Sequence, residues 1–181
     1  MSNITRVALL VLALAPATTA MGQQPSPYAG QQNRPIKALS DEEILSYLNG
    51  DGMGYAKAAE LNRYPGPRHV LDLAPKLDLT EPQRQRLERI YQVMHADAVR
   101  LGTRIIQEEA ALDSLFESRT IDQRHLRATV EDLARLSGEL RLTHLRAHLE
   151  VTRILAPDQI IHYVALRGYA ADSAQAGHEH H

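Results

Sequence analysis

The sequence predicts an all-α fold: one long antiparallel helical hairpin with short flanking helices. Three observations carry that reading. Leucine and alanine lead the apolar fraction, tryptophan is absent and phenylalanine occurs once, at Phe116, a balance that favours helices over strands. Two long stretches beyond residue 80 place apolar side chains at steps of three and four, the spacing that lines one face of a helix. Only residues 118–121 separate them, and so short a connection folds two helices back on each other.

Residues 1–22 have the order of a secretory signal: Arg6, an apolar run over 7–15 too short to cross a bilayer, Pro16, then small residues. Residues 23–39, rich in Gln, Pro and Gly, are expected to form a flexible leader. A helical domain over 40–169 follows. Ser40 and Glu43 have capping-box spacing and open a short helix that ends at Asn49 and Gly50. The glycines of 49–54 demand a turn. Pro67 suits a first helical turn, and Pro75 bends or ends that helix. Thr80, Pro82 and Gln83 start the first long helix, which is expected to reach Glu117. Its seam is Leu87, Tyr91, Met94, Ala98, Leu101, Ile105, Leu112 and Leu115, with Glu108 in the one gap. The second runs from about Asp122 to Ile154, with the seam Leu126, Val130, Leu133, Ser137, Leu140, His144, Ala147, Val151 and Ile154. Pro157 opens a last helix through Leu166, and 170–181, ending in histidines, is expected to be a disordered tail.

Several function classes fall away. The chain has no cysteine, which excludes disulfides, zinc–thiolate sites and thiol nucleophiles. Without residues 1–22 it loses one basic residue, Arg6, leaving 19 Lys and Arg against 22 Asp and Glu, a balance that gives no electrostatic case for nucleic acid. There is no G-x-S-x-G, no P-loop and no H-E-x-x-H, so no catalytic residue is expected and the chain is not expected to be an enzyme. His144 and His148 lie four apart on one helix, the spacing at which two imidazoles share zinc, nickel, cobalt or copper. The hairpin register brings His95 opposite His144, so His95, His144 and His148 are the candidate metal ligands; a core-edge histidine beside two solvated ones is the plainer alternative. Glu108 is expected near Glu131, paired with Arg104 or Arg135.

One internal echo remains. Leu79, Thr80 and Gln83 precede the first long helix, and Leu155, Ala156 and Gln159 follow the second, so the hairpin brings both to its open end. In this doubled L-T-x-x-Q motif, with Ala156 replacing the second Thr, the chain resembles the Spy/CpxP-type periplasmic proteins. The stretch 59–80 is also similar to a related branch of periplasmic heavy-metal sensors of the CnrX type. The resemblance spans about residues 41–169. It implies an ATP-independent periplasmic chaperone, a homodimeric cradle holding unfolded envelope proteins. On that reading Arg89, Arg100, Arg104, Arg141 and Arg146, interleaved with Leu and Ala, form a mixed basic–apolar client face, for which charge speeds encounter. Solvated helix faces with ion pairs four apart, such as Arg84 with Glu88, are the plainer alternative. The sensor branch implies metal sensing coupled to a membrane-bound stress or metal regulator; it uses an early histidine pair that this chain lacks and a His-x-x-x-Met where this chain has His144 and His148. The favoured expectation is the chaperone, with no required cofactor and no nucleic-acid partner. The alternatives are a metal sensor and a structural interaction module of a membrane-bound regulator.

Overall fold

The computed structural model describes residues 26–169. The expected signal segment and tail lie outside them, as do residues 23–25 of the leader. The chain divides after Gly30. Residues 26–30 form a turn, closed by the Ala29 N–H on the Ser26 carbonyl. From Gln31 on, the unit is helical: α1 (Asp41–Leu48), α2 (Lys57–Glu60), α3 (Pro67–Asp72), α4 (Glu81–Glu117), α5 (Gln123–Ile154) and α6 (Pro157–Leu166), with 3-10 turns at Gln31–Asn33 and Ala74–Lys76. No strand occurs among the described residues, and none of their helices is long and apolar enough to cross a membrane.

The helix starts follow from local chemistry. Ser40 accepts the Glu43 N–H, and the Glu43 carboxylate accepts the Ser40 N–H, so each satisfies an orphan donor at the start of α1. Thr80 and Gln83 repeat this box at α4. Asp122 caps α5 by accepting the His125 N–H at 2.8 Å. At α6 only half a box forms: Gln159 accepts the Ala156 N–H at 2.9 Å, while the alanine has no oxygen to return. Pro75 acts as a stop, ending α3 at Asp72 and leaving a single 3-10 turn.

α4 and α5 pack antiparallel, with 37 and 32 residues, so α4 spans about 55 Å. Their core has two parts. Toward the open end, Leu87 and Val151 meet Val70, Leu77, Leu155, Tyr163 and Val164; further along, Ala98, Leu101 and Ile105 meet Leu136 and Leu140. The expected seam holds from Leu140 to Val151. Beyond it the seam drifts: Leu136 is buried in place of Ser137, and Val130 is exposed. An α-helix has 3.6 residues per turn and a heptad needs 3.5, so a fixed seven-residue step rotates out of register by about 20° per repeat.

The leader packs more than expected. Ile36 and Leu39 are buried, and Lys37 bonds the Asp113 carboxylate of α4 at 2.9 Å, an attachment that also raises the lysine pKa. A flexible-looking composition over 31–39 thus conceals two apolar anchors and a charge with a partner. Gly102 allows the closest approach of α1 to α4. A methyl group there would stand 2.6 Å from the Tyr47 carbonyl oxygen, so no other residue fits without moving α1.

Candidate functional site

The doubled motif forms a clasp. Gln83 Nε2 donates to Gln159 Oε1 at 2.9 Å and to the Ile154 carbonyl at 3.0 Å. In return Gln159 Nε2 donates to Gln83 Oε1 at 3.3 Å and to the Leu77 carbonyl at 3.0 Å. Each Oε1 also accepts the N–H of its own helix cap. Two helix starts, the end of α5 and the end of the 3-10 turn at Ala74–Lys76 are thereby tied by one pair of amides. Leu155 is buried, and Leu79 packs on the same core. These five motif residues are placed as a structural joint, with Leu155 buried, Leu79, Gln83 and Gln159 partly covered and Thr80 exposed at its helix cap.

Between α4 and α5, on the side away from the short helices, runs an open groove of about 390 Å³, lined by Arg89, Ile90, Val93, Met94, Arg146 and Glu150 among others. A second hollow continues it toward the open end and adds Arg86, Arg153 and Ile154. Val93 is 66% exposed there. Arg84, Arg100, Arg127 and Arg135 are neutralised by carboxylates three or four residues away. Among the described residues of α4 and α5, Arg86, Arg89, Arg104, Arg124, Arg141, Arg146 and Arg153 have no ion-pair partner, and four of them, Arg86, Arg89, Arg146 and Arg153, line the groove and its extension. Of the arginines expected to meet clients, Arg89 and Arg146 line the groove, whereas Arg100 is held by Asp97, and Arg104 and Arg141 are exposed elsewhere. Glu108 makes no ion pair with Arg135, which turns instead to Asp132 and Glu139; Glu131 is taken by Arg127.

On the other side, loop 49–56 and α2–α3 cover the histidines. His95 and His144 line one hollow of about 320 Å³, as the register predicted, but their companion there is His69 of α3, not His148. His148 lines the neighbouring hollow with Glu60, His69 and Met53. His95, His144 and His148 are therefore not gathered around one point, and no group of three His, Asp or Glu among the described residues is set to hold an ion. The reason is packing: His148 Nδ1 is held by the Tyr64 carbonyl at 2.7 Å, whereas the His144 ring is stacked on Tyr55.

Both histidines are buried. His144 stacks flat on Tyr55 at 6.2 Å, and its Nε2 has no hydrogen-bond partner. Burial, aided by the nearby His148, pushes its pKa down. His148 Nδ1 lies 2.7 Å from the Tyr64 carbonyl, which sets that nitrogen as the donor. Gly66 makes this approach available, since a methyl group at 66 would come within 2.9 Å of the imidazole. Beside it, Glu60 Oε1 accepts from the Tyr163 hydroxyl and from Arg167 Nε at 3.2 Å, while Oε2, 3.8 Å from His148 Nδ1, is buried without a hydrogen bond. Burial pushes His69 down as well, with Arg167 adding to the effect. This network was invisible to sequence reasoning, because α2 is four residues long and Glu60 meets Tyr163 across 103 positions.

No family model, curated protein or solved structure matches the chain.

Proposed function

We propose that the protein is an exported, ATP-independent chaperone that holds unfolded segments in the α4–α5 groove. The observation that carries this reading is the gathering of four arginines without ion-pair partners, Arg86, Arg89, Arg146 and Arg153, around Ile90, exposed Val93 and Ile154 in one groove. A side chain that must hand its charge to a transient partner is best left unpaired, and apolar residues between such charges offer weak, sequence-tolerant contact. The groove contains no nucleophile–base pair, which suits binding rather than turnover. The resemblance to Spy/CpxP proteins agrees with this reading, as does the signal-like segment at residues 1–22. The test is suppression of light scattering by a chemically denatured client, without nucleotide. The unmodified chain is expected to suppress aggregation at low molar ratio, and Arg89→Glu with Arg146→Glu to weaken it several-fold. A chain that leaves aggregation unchanged removes the proposal.

A second reading draws on two buried polar atoms without hydrogen bonds, Glu60 Oε2 and His144 Nε2, and on the His148–Tyr64 bond, which is how a metal-ligating imidazole is oriented. On this reading the loop side binds zinc, nickel, cobalt or copper. Calorimetric titration of a chain lacking residues 170–181 tests it, because the truncation removes the histidines of the tail. Saturable binding lost in His144→Ala supports it, and no heat with any of the four ions ends it.

A further inference from the structure

One outer face of the molecule lies away from the α4–α5 groove. Its first part is α2 and the turn after it. Leu61 and Tyr64 are 53% and 39% exposed there, beside exposed Lys57 and Arg63. The backbone fixes this turn: the Tyr64 N–H bonds the Ala59 carbonyl at 3.1 Å, and the Tyr64 carbonyl meets His148 Nδ1 at 2.7 Å. Arg63 takes the left-handed region, at φ 66°, which a residue with a Cβ rarely enters. The second part is α5, where Leu142 and Leu149 are 44% and 46% exposed and Leu145 is half-buried. At about 100° per residue, Arg141, Leu142, Leu145, Leu149 and Thr152 share an arc of about 100°. Glu139 and Glu150 stand about 60–80° beyond one edge of it. His148 stands about 20° beyond the other, so the turn that its ring holds borders the arc. Glu60, the one acid between Lys57 and Tyr64, is turned inward to Tyr163 and Arg167. Among the described residues, Lys57, Arg63 and Arg141 have no ion-pair partner, and all three are exposed.

Exposed leucines and a tyrosine, set among unpaired cations and free of exposed acid, match the surface of an anionic bilayer. Leucines enter the boundary between headgroups and acyl chains, a tyrosine sits at headgroup level, and long basic side chains reach the phosphates. A soluble polyanion would use the cations and leave the leucines with nothing to bury against. None of the described helices is long and apolar enough to cross a membrane, so such a face lies on a bilayer and does not span it. We propose that this face docks the protein onto a membrane rich in anionic phospholipid. Leu61, Tyr64, Leu142 and Leu149 enter the headgroup–acyl boundary, while Lys57, Arg63 and Arg141 meet the phosphates. The groove-lining residues of α5 are centred about 130° away around the helix. The docking face therefore shares no residue with the groove, and the inference stands whether or not the groove holds clients.

Flotation of the full chain with lipid vesicles tests it. Vesicles of equimolar phosphatidylglycerol and phosphatidylcholine are expected to bind the chain at low salt, and vesicles of phosphatidylcholine alone to bind it at least tenfold more weakly. One cation near an anionic surface strengthens binding by about fivefold, so Lys57→Gln, Arg63→Gln and Arg141→Gln together should weaken it by about a hundredfold. Leu61→Ser with Leu149→Ser, which leaves the charges in place, should weaken it by about tenfold or more. A second measurement reports the orientation. The chain has no tryptophan, so Tyr64→Trp supplies a single indole. Its emission should move to the blue on vesicles and be quenched by brominated lipid, while Phe116→Trp, at the tip of the hairpin, should show neither change. Insertion of the apolar run over 7–15 would instead leave the indole at 64 unquenched. The proposal is overturned by that result, by a chain that does not float, by equal binding to both vesicles, or by variants that bind as tightly as the unmodified chain. Binding to polyphosphate that survives the leucine substitutions, without flotation, overturns it in favour of a soluble polyanion.

Discussion

The two ends of the hairpin are held by different forces. At the open end, α4 and α5 are packed by α3 and α6, their starts are tied by the glutamine clasp, and Leu87, Val151 and Tyr163 are wholly buried. At the loop end no residue from 106 to 135 is buried. What holds it is the Asp122 cap, exposed ion pairs along one helix such as Arg127 with Glu131, partly covered leucines and one tertiary tie, Lys37 to Asp113. The same two helices thus go from tertiary support to mostly local support along their length. The lesson concerns placement: the groove and the histidine hollows flank the supported part, where side-chain positions are fixed by packing.

Mutations can break this contrast. Leu87→Ala should cost about 2–5 kcal/mol by leaving a cavity, while Val130→Ala should stay within about 0.5 kcal/mol because its side chain is exposed; urea denaturation of both variants is the check. Equal losses would mean that the loop end is as tightly packed as the open end. The clasp comes next. Gln83→Ala or Gln159→Ala should cost about 1–3 kcal/mol by stranding the other amide and a carbonyl, and the double variant should cost less than the sum.

Acid should also act on one end. The pKa values of His144 and His69 are pushed below 6.5 by burial, so the unfolded chain takes up protons before the folded one does. Their contribution to stability is present above pH 6.5 and is lost as the pH falls toward the folded-state values. Hydrogen exchange between pH 7 and pH 5, corrected for its intrinsic rate, should show protection falling around α2, α3 and the facing part of α5 and holding at residues 106–135. A small effect is also expected from Arg135→Ala. Its partners Asp132 and Glu139 are both exposed, so thermal melting should detect a loss of no more than about 1 kcal/mol.

Much of the frame was legible in the sequence. The starts at Ser40, Thr80, Asp122 and Pro157, the stop at Pro75 and the meeting of the two glutamine motifs depend on neighbours within a few residues or on one short loop. Side-chain assignments fared less evenly. Of five candidate client arginines two line the groove, because Arg100 has an aspartate three residues back that takes its charge. The approach of His95 to His144 followed from the register, but the diversion of His148 to Tyr64 and Glu60 did not.

The sequence by itself determined that this chain forms two long helices folded back on each other and where each begins, since capping, breaking and periodicity are local properties. Only the tertiary structure decided which buried groups meet. Glu60, His69 and His148 come from three helices, and the strap at 31–39 is held by two apolar residues and one lysine. Such contacts are set by how helices cross, as at Gly102 against Tyr47, and a crossing depends on shape over the whole interface, which no short stretch of sequence contains.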